Sequence, residues 1–294
     1  MILSFHPCIH GDENVIVAGR GPTPAEEALV RRADAVILPQ GVREDLYEMC
    51  RRHCGRLFPD YDCRFVYPGK LGDIRLFRAL GIPHPETLVF ADVADYRRRY
   101  PLERGVFPFP PPFIIKGNTG GEGNLVFRIH QPDQLEEILA MFASMETSGF
   151  RGFLAQELIN HGGRDLRVVV LHDQVLSYWR VQHDPAQFLT NLSAGGAMDT
   201  QSDPHLRQRA EALVRHLSQK SGINLAGIDL MFDTQERSGA PLMVEINYWF
   251  GRRFFGSSGV YYRQLLEAMR RWLGGFDRSW PDRVRLDEAE GEGD

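Results

Sequence analysis

The sequence predicts a mixed α/β protein of the α+β kind, in which two α+β lobes follow a short N-terminal α/β lobe. Three observations support this fold class. Short apolar strands are interspersed with helix-length segments along the 294 residues, one strand ends in a lysine and runs into a glycine-rich loop, and two strands near the C terminus carry acids. With 43% hydrophobic and 25% charged residues, the composition is that of an ordinary globular chain.

The predicted elements divide the chain into four parts. The N-terminal α/β lobe covers 1–68, a central lobe covers 69–150, and a C-terminal lobe covers 151–280. The last part, 281–294, is acidic and carries glycines, so we expect a flexible tail.

Helices and connecting segments follow from apolar periodicity and from glycine and proline positions. In the first lobe, strands are predicted at 14–18 and 35–39, and helices at 24–32 and 42–52. The later helices are predicted at 71–80, 132–145, 204–221 and 260–273. Proline-rich 101–112 is predicted to be a connecting loop.

A strand, a glycine-rich loop and a second strand occupy 112–129. The first strand ends at Lys116, and the loop that follows contains Thr119, Gly120, Gly121 and Gly123. Glycines let a backbone approach a polyphosphate and point its amides at it, and a strand-borne lysine supplies a point charge for phosphate. The loop is neither a Walker A motif nor a dinucleotide fingerprint, because no Gly-Lys-Ser/Thr closes it and a strand follows it. A plain hairpin loop is the alternative.

Two acids and an asparagine lie on neighbouring predicted strands. Asp229 lies in Ala226-Gly227-Ile228-Asp229, and Glu245 and Asn247 form a Glu-x-Asn sequence sixteen residues later. Alternate residues of a strand share a face, so the three side chains can converge. Three oxygen donors of this kind suit Mg²⁺. The alternative is two ordinary strand-end acids and a turn asparagine.

Charged residues also mark the apolar strands between these two blocks. Gln156 and Glu157 end one predicted strand, Asp165 and Arg167 lie on the next, and Arg180 lies on a third. Buried charges are costly unless they meet partners or ligands. Asn191 then begins a segment that ends in Gly195-Gly196. Taken singly, each charge is equally compatible with a half-exposed sheet edge.

The order of these blocks resembles the ATP-grasp superfamily, and within it the RimK-like and glutathione-synthetase-like carboxylate–amine ligases. The resemblance runs from about residue 70 to 259 and includes a Gly-Ile-Pro-x-Pro segment at 81–85. It implies an ATP-grasp fold, in which two α+β lobes grip ATP.

The resemblance also implies a role for each matching residue. ATP phosphates would be held by Lys116 beneath the loop Thr119–Gly123, with Lys70 as a second ATP lysine. The adenine would meet the hinge at Gln156, Glu157 and Leu158, and Asp165 would contact the nucleotide. Asp229, Glu245 and Asn247 would hold one or two Mg²⁺ ions, with Mn²⁺ as a substitute. Arg167, Arg180 and Asn191 would face the γ-phosphate and an acyl phosphate.

The activity implied is an Mg-ATP-dependent ligation. A carboxylate attacks the γ-phosphate to give an acyl phosphate, which an amine converts to an amide. The substrates would be an amino acid, a peptide or a protein tail, and the resemblance leaves a homodimer or homotetramer open. An ATP-grasp small-molecule kinase, a non-catalytic nucleotide-binding regulator and a structural α/β domain are the alternatives.

Two departures fall where the acceptor substrate should lie. Relatives carry a basic residue two positions before the loop asparagine, and this chain has Leu189. After Glu-x-Asn they continue with a small-Pro-Gly turn, whereas this chain reads Tyr-Trp-Phe-Gly-Arg-Arg over 248–253. Arg252 and Arg253 beside Trp249 indicate an acidic partner, with an exposed basic turn as the alternative.

Charge and patterning exclude other classes. A net charge of −5 and a pI near 6.1 give no electrostatic case for nucleic acid. The chain has no apolar run of about 18 residues and no secretory pattern at its start, so we expect a cytoplasmic protein without a membrane partner. The four cysteines, all within the first 63 residues, are expected to be reduced, scattered thiols and not a zinc site.

Overall fold

The computed structural model describes residues 1–101, 105–121, 123–184, 187–190, 192, 195–236 and 238–287. The predicted site residue Asn191 lies outside the described residues. Three sheets larger than a pair of strands organise the described part of the chain, two of them antiparallel and one parallel.

The N-terminal lobe is built on a four-stranded parallel sheet. Its elements are β1 (Ile2–Ser4), β2 (Ile9–His10), β3 (Glu13–Asn14), α1 (Pro24–Val30), β4 (Ala35–Ile37), α2 (Glu44–His53), β5 (Leu57–Phe58) and α3 (Asp62–Val66). The strand order is β3-β1-β4-β5. The strand predicted at 14–18 is wrong beyond Asn14, because the chain turns away from the sheet and reaches a positive φ of 49° at Ala18.

The middle of the chain forms an antiparallel sheet of four strands. Its elements are α4 (Gly69–Leu80), β6 (Thr87–Phe90), α5 (Val93–Arg99), β7 (Phe113–Gly117), β8 (Val126–Ile129), α6 (Pro132–Glu146) and β9 (Phe153–Glu157). The strand order is β6-β9-β7-β8. Gly81 ends α4 in the left-handed conformation, with φ 66°, as glycine permits without steric cost. β9 belongs to this sheet, so the division predicted at 150/151 cuts through a sheet that continues to Glu157.

The third sheet has five antiparallel strands in the order β12-β11-β10-β13-β14. Its elements are β10 (Arg164–Leu171), β11 (Gln174–Val181), β12 (Ala197–Asp199), α7 (Pro204–Ser221), β13 (Leu225–Phe232) and β14 (Pro241–Asn247). A 3₁₀ helix at Arg253–Phe255, then α8 (Ser258–Gly274), a 3₁₀ helix at Pro281–Arg283 and β15 (Arg285–Leu286) complete the chain.

The last elements return to the N-terminal lobe. The buried face of α8, which includes Leu265 and Trp272, shares one hydrophobic core with the strands of that lobe. β15 pairs with β2, and Val284 just before it is fully buried. The flexible tail predicted from 281 is therefore wrong up to Asp287, because these residues complete a small sheet; 288–294 lie outside the described residues.

None of the helices in the described ranges combines the length and apolarity needed to cross a bilayer. The four cysteines are free in the structure, and three of them are buried. Within the same residues, no cluster of three or more His, Cys, Asp or Glu side chains that could hold a metal ion is found.

Candidate active site

A cavity of about 610 Å³ lies between the middle sheet and the five-stranded sheet. Both sheets and the segment after β14 contribute to its walls. The predicted site residues that line it are Lys70, Lys116, Gly121, Gly123, Gln156, Glu157, Leu158, Asp165, Arg167, Arg180, Asp229, Glu245 and Asn247. Among the described candidates, Thr119 and Gly120 are the two that do not line it.

Two lysines enter the cavity from different elements. Lys70 lies in the first turn of α4, where its ammonium contacts Glu245 Oε1 at 3.1 Å and donates to the Gly120 carbonyl at 2.8 Å. Lys116 extends from β7 and donates to Gln156 Oε1 at 2.7 Å. Desolvation lowers the pKa of Lys116 to about 8, although the carboxylates of Glu245 and Asp229 partly oppose this shift. Its charge therefore titrates near neutral pH.

Asn118 fixes the start of α4 against the glycine-rich loop. Its side-chain Oδ1 accepts from the N–H of Leu71 at 3.0 Å, and its carbonyl accepts from the N–H of Lys70 at 3.3 Å. These are first-turn N–H groups that have no acceptor within the helix. A Cβ on Gly69 would lie 2.6 Å from Asn118 Oδ1, so the close approach needs glycine there. This contact brings Lys70 to the loop.

The loop itself requires glycine at two places. Gly120 and Gly123 have φ of 99° and 82°, in the region that favours glycine. A Cβ on Gly123 would lie 2.5 Å from Leu189 Cδ1. The loop thus meets the segment that contains Leu189, and both border the cavity.

The chain crosses between the two sheets at Glu157, Leu158 and Ile159, all of which line the cavity. The Glu157 side chain accepts from the backbone N–H of Glu86 at 2.6 Å, and the Glu157 N–H donates to the Glu86 carbonyl at 3.0 Å. The apolar residues beside this crossover are Ile114, Val126, Met231 and Val244, which belong to both sheets. Apolar side chains from both sheets with a crossing segment of backbone between them are typical of a small-molecule site.

Arginines and acids alternate across the five-stranded sheet. Arg167 on β10 lies opposite Asp229 on β13, which in turn lies opposite Glu245 on β14. Arg167 donates to both oxygens of Asp229, with 3.0 Å between Nη2 and Oδ2. Arg180 on β11 donates to Asp165 and reaches Asp229 Oδ2 at 3.2 Å.

These ion pairs set the charge state of Asp229. Burial alone would raise its pKa, but Arg167 and Arg180 outweigh burial and hold the pKa below the ordinary range of an aspartate. The pKa of Arg180 is raised, since Asp229 and Asp165 outweigh its desolvation. The charges are therefore retained in a buried network.

Glu245 and Asn247 complete the group on β14. The Asn247 amide nitrogen donates to Asp229 Oδ2 at 3.2 Å, and Glu245 contacts Lys70. Both side chains share the cavity face of the strand, as the alternation of a strand requires. Asp229, Glu245 and Asn247 thus lie on two paired strands and line the same cavity.

A family model for the RimK-like ATP-grasp domain matches residues 70–258. The chain belongs to the RimK-like ATP-grasp family. It is 32% identical over 180 residues to a protein of Stenotrophomonas maltophilia strain R551-3 named probable alpha-L-glutamate ligase, which covers 60% of this chain and 56% of that relative. A Hahella chejuensis protein named probable alpha-L-glutamate ligase 2 is 29% identical over 137 residues, which is 46% of this chain and 41% of the relative. The chain spans about half the length of these curated relatives.

Solved structures agree on the fold. A RimK domain ATP-grasp protein from Sphaerobacter thermophilus superposes with a TM-score of 0.59 at 15% identity, covering 90% of this chain and 97% of that one. D-alanine–D-alanine ligase from Bacillus anthracis gives 0.55 at 13% identity, covering 88% of this chain and 84% of that one. The predicted ATP-grasp fold is confirmed.

The donor set of this RimK-like chain fits a hard divalent cation. Two carboxylates and an amide oxygen face one cavity, and Mg²⁺ prefers few protein oxygens with room for phosphate. In this structure the same carboxylates are neutralised by Arg167, Arg180 and Lys70. A cation there would therefore compete with these three side chains for Asp229 and Glu245.

Sequence reasoning missed Asp73, which is buried beside Glu245, and Tyr178, which lines the cavity of the RimK-like site. Trp249 and Arg253, which the sequence associates with an acidic partner, line the same cavity. Tyr178 lies directly opposite Arg167 in the sheet and stacks on Phe254 at 4.7 Å. The alternation of β11 could have indicated Tyr178, since it lies two residues from Arg180. No sequence pattern points to Asp73.

Proposed function

We propose that this protein is an Mg-ATP-dependent ligase that joins a carboxylate to an amine through an acyl phosphate. One observation carries the proposal. The glycine-rich loop and Lys116 of the middle sheet, Lys70 of α4, and Asp229, Glu245 and Asn247 of the five-stranded sheet all border the same cavity. Phosphoryl transfer depends on positioning and on neutralising charge, and this arrangement supplies both.

The triphosphate would lie between the loop and β14. The ammonium groups of Lys70 and Lys116 would face its oxygens, in place of their present contacts with Glu245 and Gln156. The adenine would lie against the hinge at Leu158, between the apolar residues of the two sheets. We assign the two lobes on either side of the cavity as the two lobes that grip ATP.

A divalent cation held by Asp229, Glu245 and Asn247 would supply charge neutralisation for the β- and γ-phosphates. Once these carboxylates have another partner, Arg167 and Arg180 can turn toward the transferred phosphoryl group and the carbonyl oxygen. Their guanidinium groups are buried next to the cavity and held by Asp165 and Asp229, so they are already close to where negative charge develops.

The relatives named probable alpha-L-glutamate ligase support an acidic amino acid as substrate. The composition of the cavity is compatible with this, since five lysine and arginine side chains line it. We therefore propose that glutamate be tested first, both as the carboxylate substrate and as the amine substrate.

The test is ADP formation from Mg-ATP with L-glutamate, with and without hydroxylamine. Hydroxylamine intercepts an acyl phosphate as a hydroxamate, whereas a phosphate ester made by a kinase does not react. The proposal expects hydroxamate that depends on both ATP and the acid, and Lys116→Ala is expected to abolish it. A stable phosphorylated product without hydroxamate would establish the kinase instead, and no ADP with any acid or alcohol tested would favour a binding protein.

A further inference from the structure

Lysine and arginine side chains line the cavity at five positions, and their partners differ. Lys70 contacts Glu245, while Arg167 and Arg180 bind Asp229 and Asp165. Lys116 donates to the neutral Gln156. The fifth is Arg253, whose guanidinium makes no ion pair or hydrogen bond with any other residue that the structure describes.

The sheet register places Arg253 at the end of the cavity away from the hinge. β14 begins at Pro241, opposite Phe232, and ends at Asn247, opposite Gly227. β10 begins at Arg164 on the hinge side, and its Arg167 lies opposite Asp229. The chain therefore leaves β14 on the far side of Asp229 from the hinge. A nucleotide that extends from the hinge past the metal-binding residues would have its γ-phosphate facing this end.

Aromatic residues that flank Arg253 are packed, whereas Arg253 itself is exposed. Phe250 and Phe255 are buried on either side of it, and Phe254 stacks on Tyr178. Phe250 and Arg167 both lie next to Gly227, since a Cβ built on Gly227 would lie 3.0 Å from Phe250 Cβ and 2.8 Å from Arg167 Nη1. Arg253, three residues after Phe250, is itself exposed and lines the cavity.

Trp249 supplies an apolar surface at the same end. It lines the cavity, yet 72% of its surface is exposed, which is unusual for so large an apolar side chain. Its ring packs on Gly41 of the N-terminal lobe, where a Cβ would lie 1.9 Å from Cζ3. An indole and an unpaired guanidinium that line the same cavity fit a ligand that combines a short aliphatic part with a carboxylate.

Arg252 differs from its neighbour. Its guanidinium lies over the rings of Tyr262 and Tyr261, at 4.6 and 5.0 Å from their centroids, and it is not among the cavity-lining residues. Two adjacent arginines therefore have different surroundings, and the chain provides its own control.

We propose that Arg253, with Trp249, binds a carboxylate group of the amine substrate. This carboxylate is not consumed in the reaction. The acceptor would then be an amino acid or peptide that carries a free carboxylate as well as its reacting amine. This inference rests on the proposed function, because it takes the bound ligand to be the amine acceptor of the proposed ligation. The reacting acid would instead face Arg167, which lies nearer the metal-binding residues.

Binding is measured by calorimetry, with the full chain saturated with Mg²⁺ and a non-hydrolysable ATP analogue. The probes are the dipeptide glutamyl-glutamate and the same peptide with both carboxylates of its C-terminal residue amidated. Loss of a charge-assisted hydrogen bond corresponds to about a 10- to 100-fold change in affinity. We expect Arg253→Gln to weaken the free dipeptide by about that factor and to leave the amidated one unchanged, with Arg253→Lys in between.

Arg252→Gln is the matched control and should preserve the preference for the free peptide. The inference is overturned if wild-type protein binds both peptides equally, or if Arg253→Gln weakens both equally. Because this assay requires no turnover, failure of the hydroxamate assay would refute the proposed ligase activity separately from the carboxylate site.

Discussion

The carboxylate of Asp73 accepts a hydrogen bond from the backbone N–H of Ile246, with 3.2 Å between Oδ2 and N. Ile246 lies between Glu245 and Asn247 on β14, an edge strand of its sheet. Asp73 lies one turn after Lys70 on α4, so this bond joins the helix of one cavity lysine to the strand of the metal-binding residues. Burial, together with the nearby charge of Glu245, raises the pKa of Asp73 well above its ordinary value.

We predict that Asp73→Ala destabilises the protein by about 1–3 kcal/mol, because the buried N–H of Ile246 loses its acceptor. Asp73→Asn retains a carbonyl oxygen without burying a charge, and should remain within about 0.5 kcal/mol of wild type. Denaturant unfolding of the three proteins checks this. Equal losses in both variants would mean that the hydrogen bond is not what stabilises this contact.

The lowered pKa of Lys116 predicts a pH dependence of nucleotide binding. Below pH about 8 the lysine is charged before the triphosphate arrives. Above that pH it must take up a proton on binding, so affinity should fall by up to about tenfold per pH unit. Titrations of an ATP analogue between about pH 6.5 and 9.5 measure this slope. Lys116→Met should bind weakly and without this slope, and a flat wild-type profile would contradict the prediction.

The ion-pair network predicts unequal effects of its two aspartates. Asp229→Ala leaves Arg167 without its only carboxylate among the described residues and weakens the contacts of Arg180, which should cost about 3–5 kcal/mol. Asp165→Ala leaves Arg180 with Asp229 and should cost clearly less. Unfolding free energies compare the two variants. The reverse order would show that Asp229 is not the centre of the network.

The contact between Gly41 and Trp249 predicts a selective effect on the acceptor end. Gly41→Ala places a methyl group inside the indole ring, so the ring must move. We expect weaker binding of glutamyl-glutamate in the presence of the ATP analogue, with unchanged binding of the analogue itself. Gly55→Ala is the control, since a Cβ there meets nothing within 4 Å. Equal peptide affinity in both variants would exclude Trp249 from the site.

Much of this arrangement could be predicted from the sequence, for identifiable reasons. Alternation along a strand and the chain order of acids were enough to bring Asp229, Glu245 and Asn247 together, because neighbouring antiparallel strands align such residues. Lys116 on β7 and Gln156 on β9 are diagonal neighbours in the same pair of strands, and their side chains are hydrogen-bonded. Local patterns therefore describe the parts of the cavity that lie on paired strands.

The remainder depends on contacts between distant segments. Asn118 sets the position of Lys70, and Gly41 sets that of Trp249. The two residues of each pair are far apart in the sequence, so no periodic pattern relates them. The same holds for β15, which pairs with β2 from the other end of the chain. Thr119 was predicted to contact phosphate, but it does not line the cavity in this conformation of the loop.

The most direct measurement of the central claim is the Mg²⁺ dependence of ATP-analogue binding in wild-type protein and in Glu245→Gln. If Asp229, Glu245 and Asn247 hold a divalent cation beside the nucleotide phosphates, Mg²⁺ should tighten wild-type binding by at least about tenfold, which corresponds to about 1.4 kcal/mol. Glu245→Gln should lose most of that increase while retaining the metal-free affinity supplied by Lys116. An undiminished Mg²⁺ effect in Glu245→Gln would contradict the account.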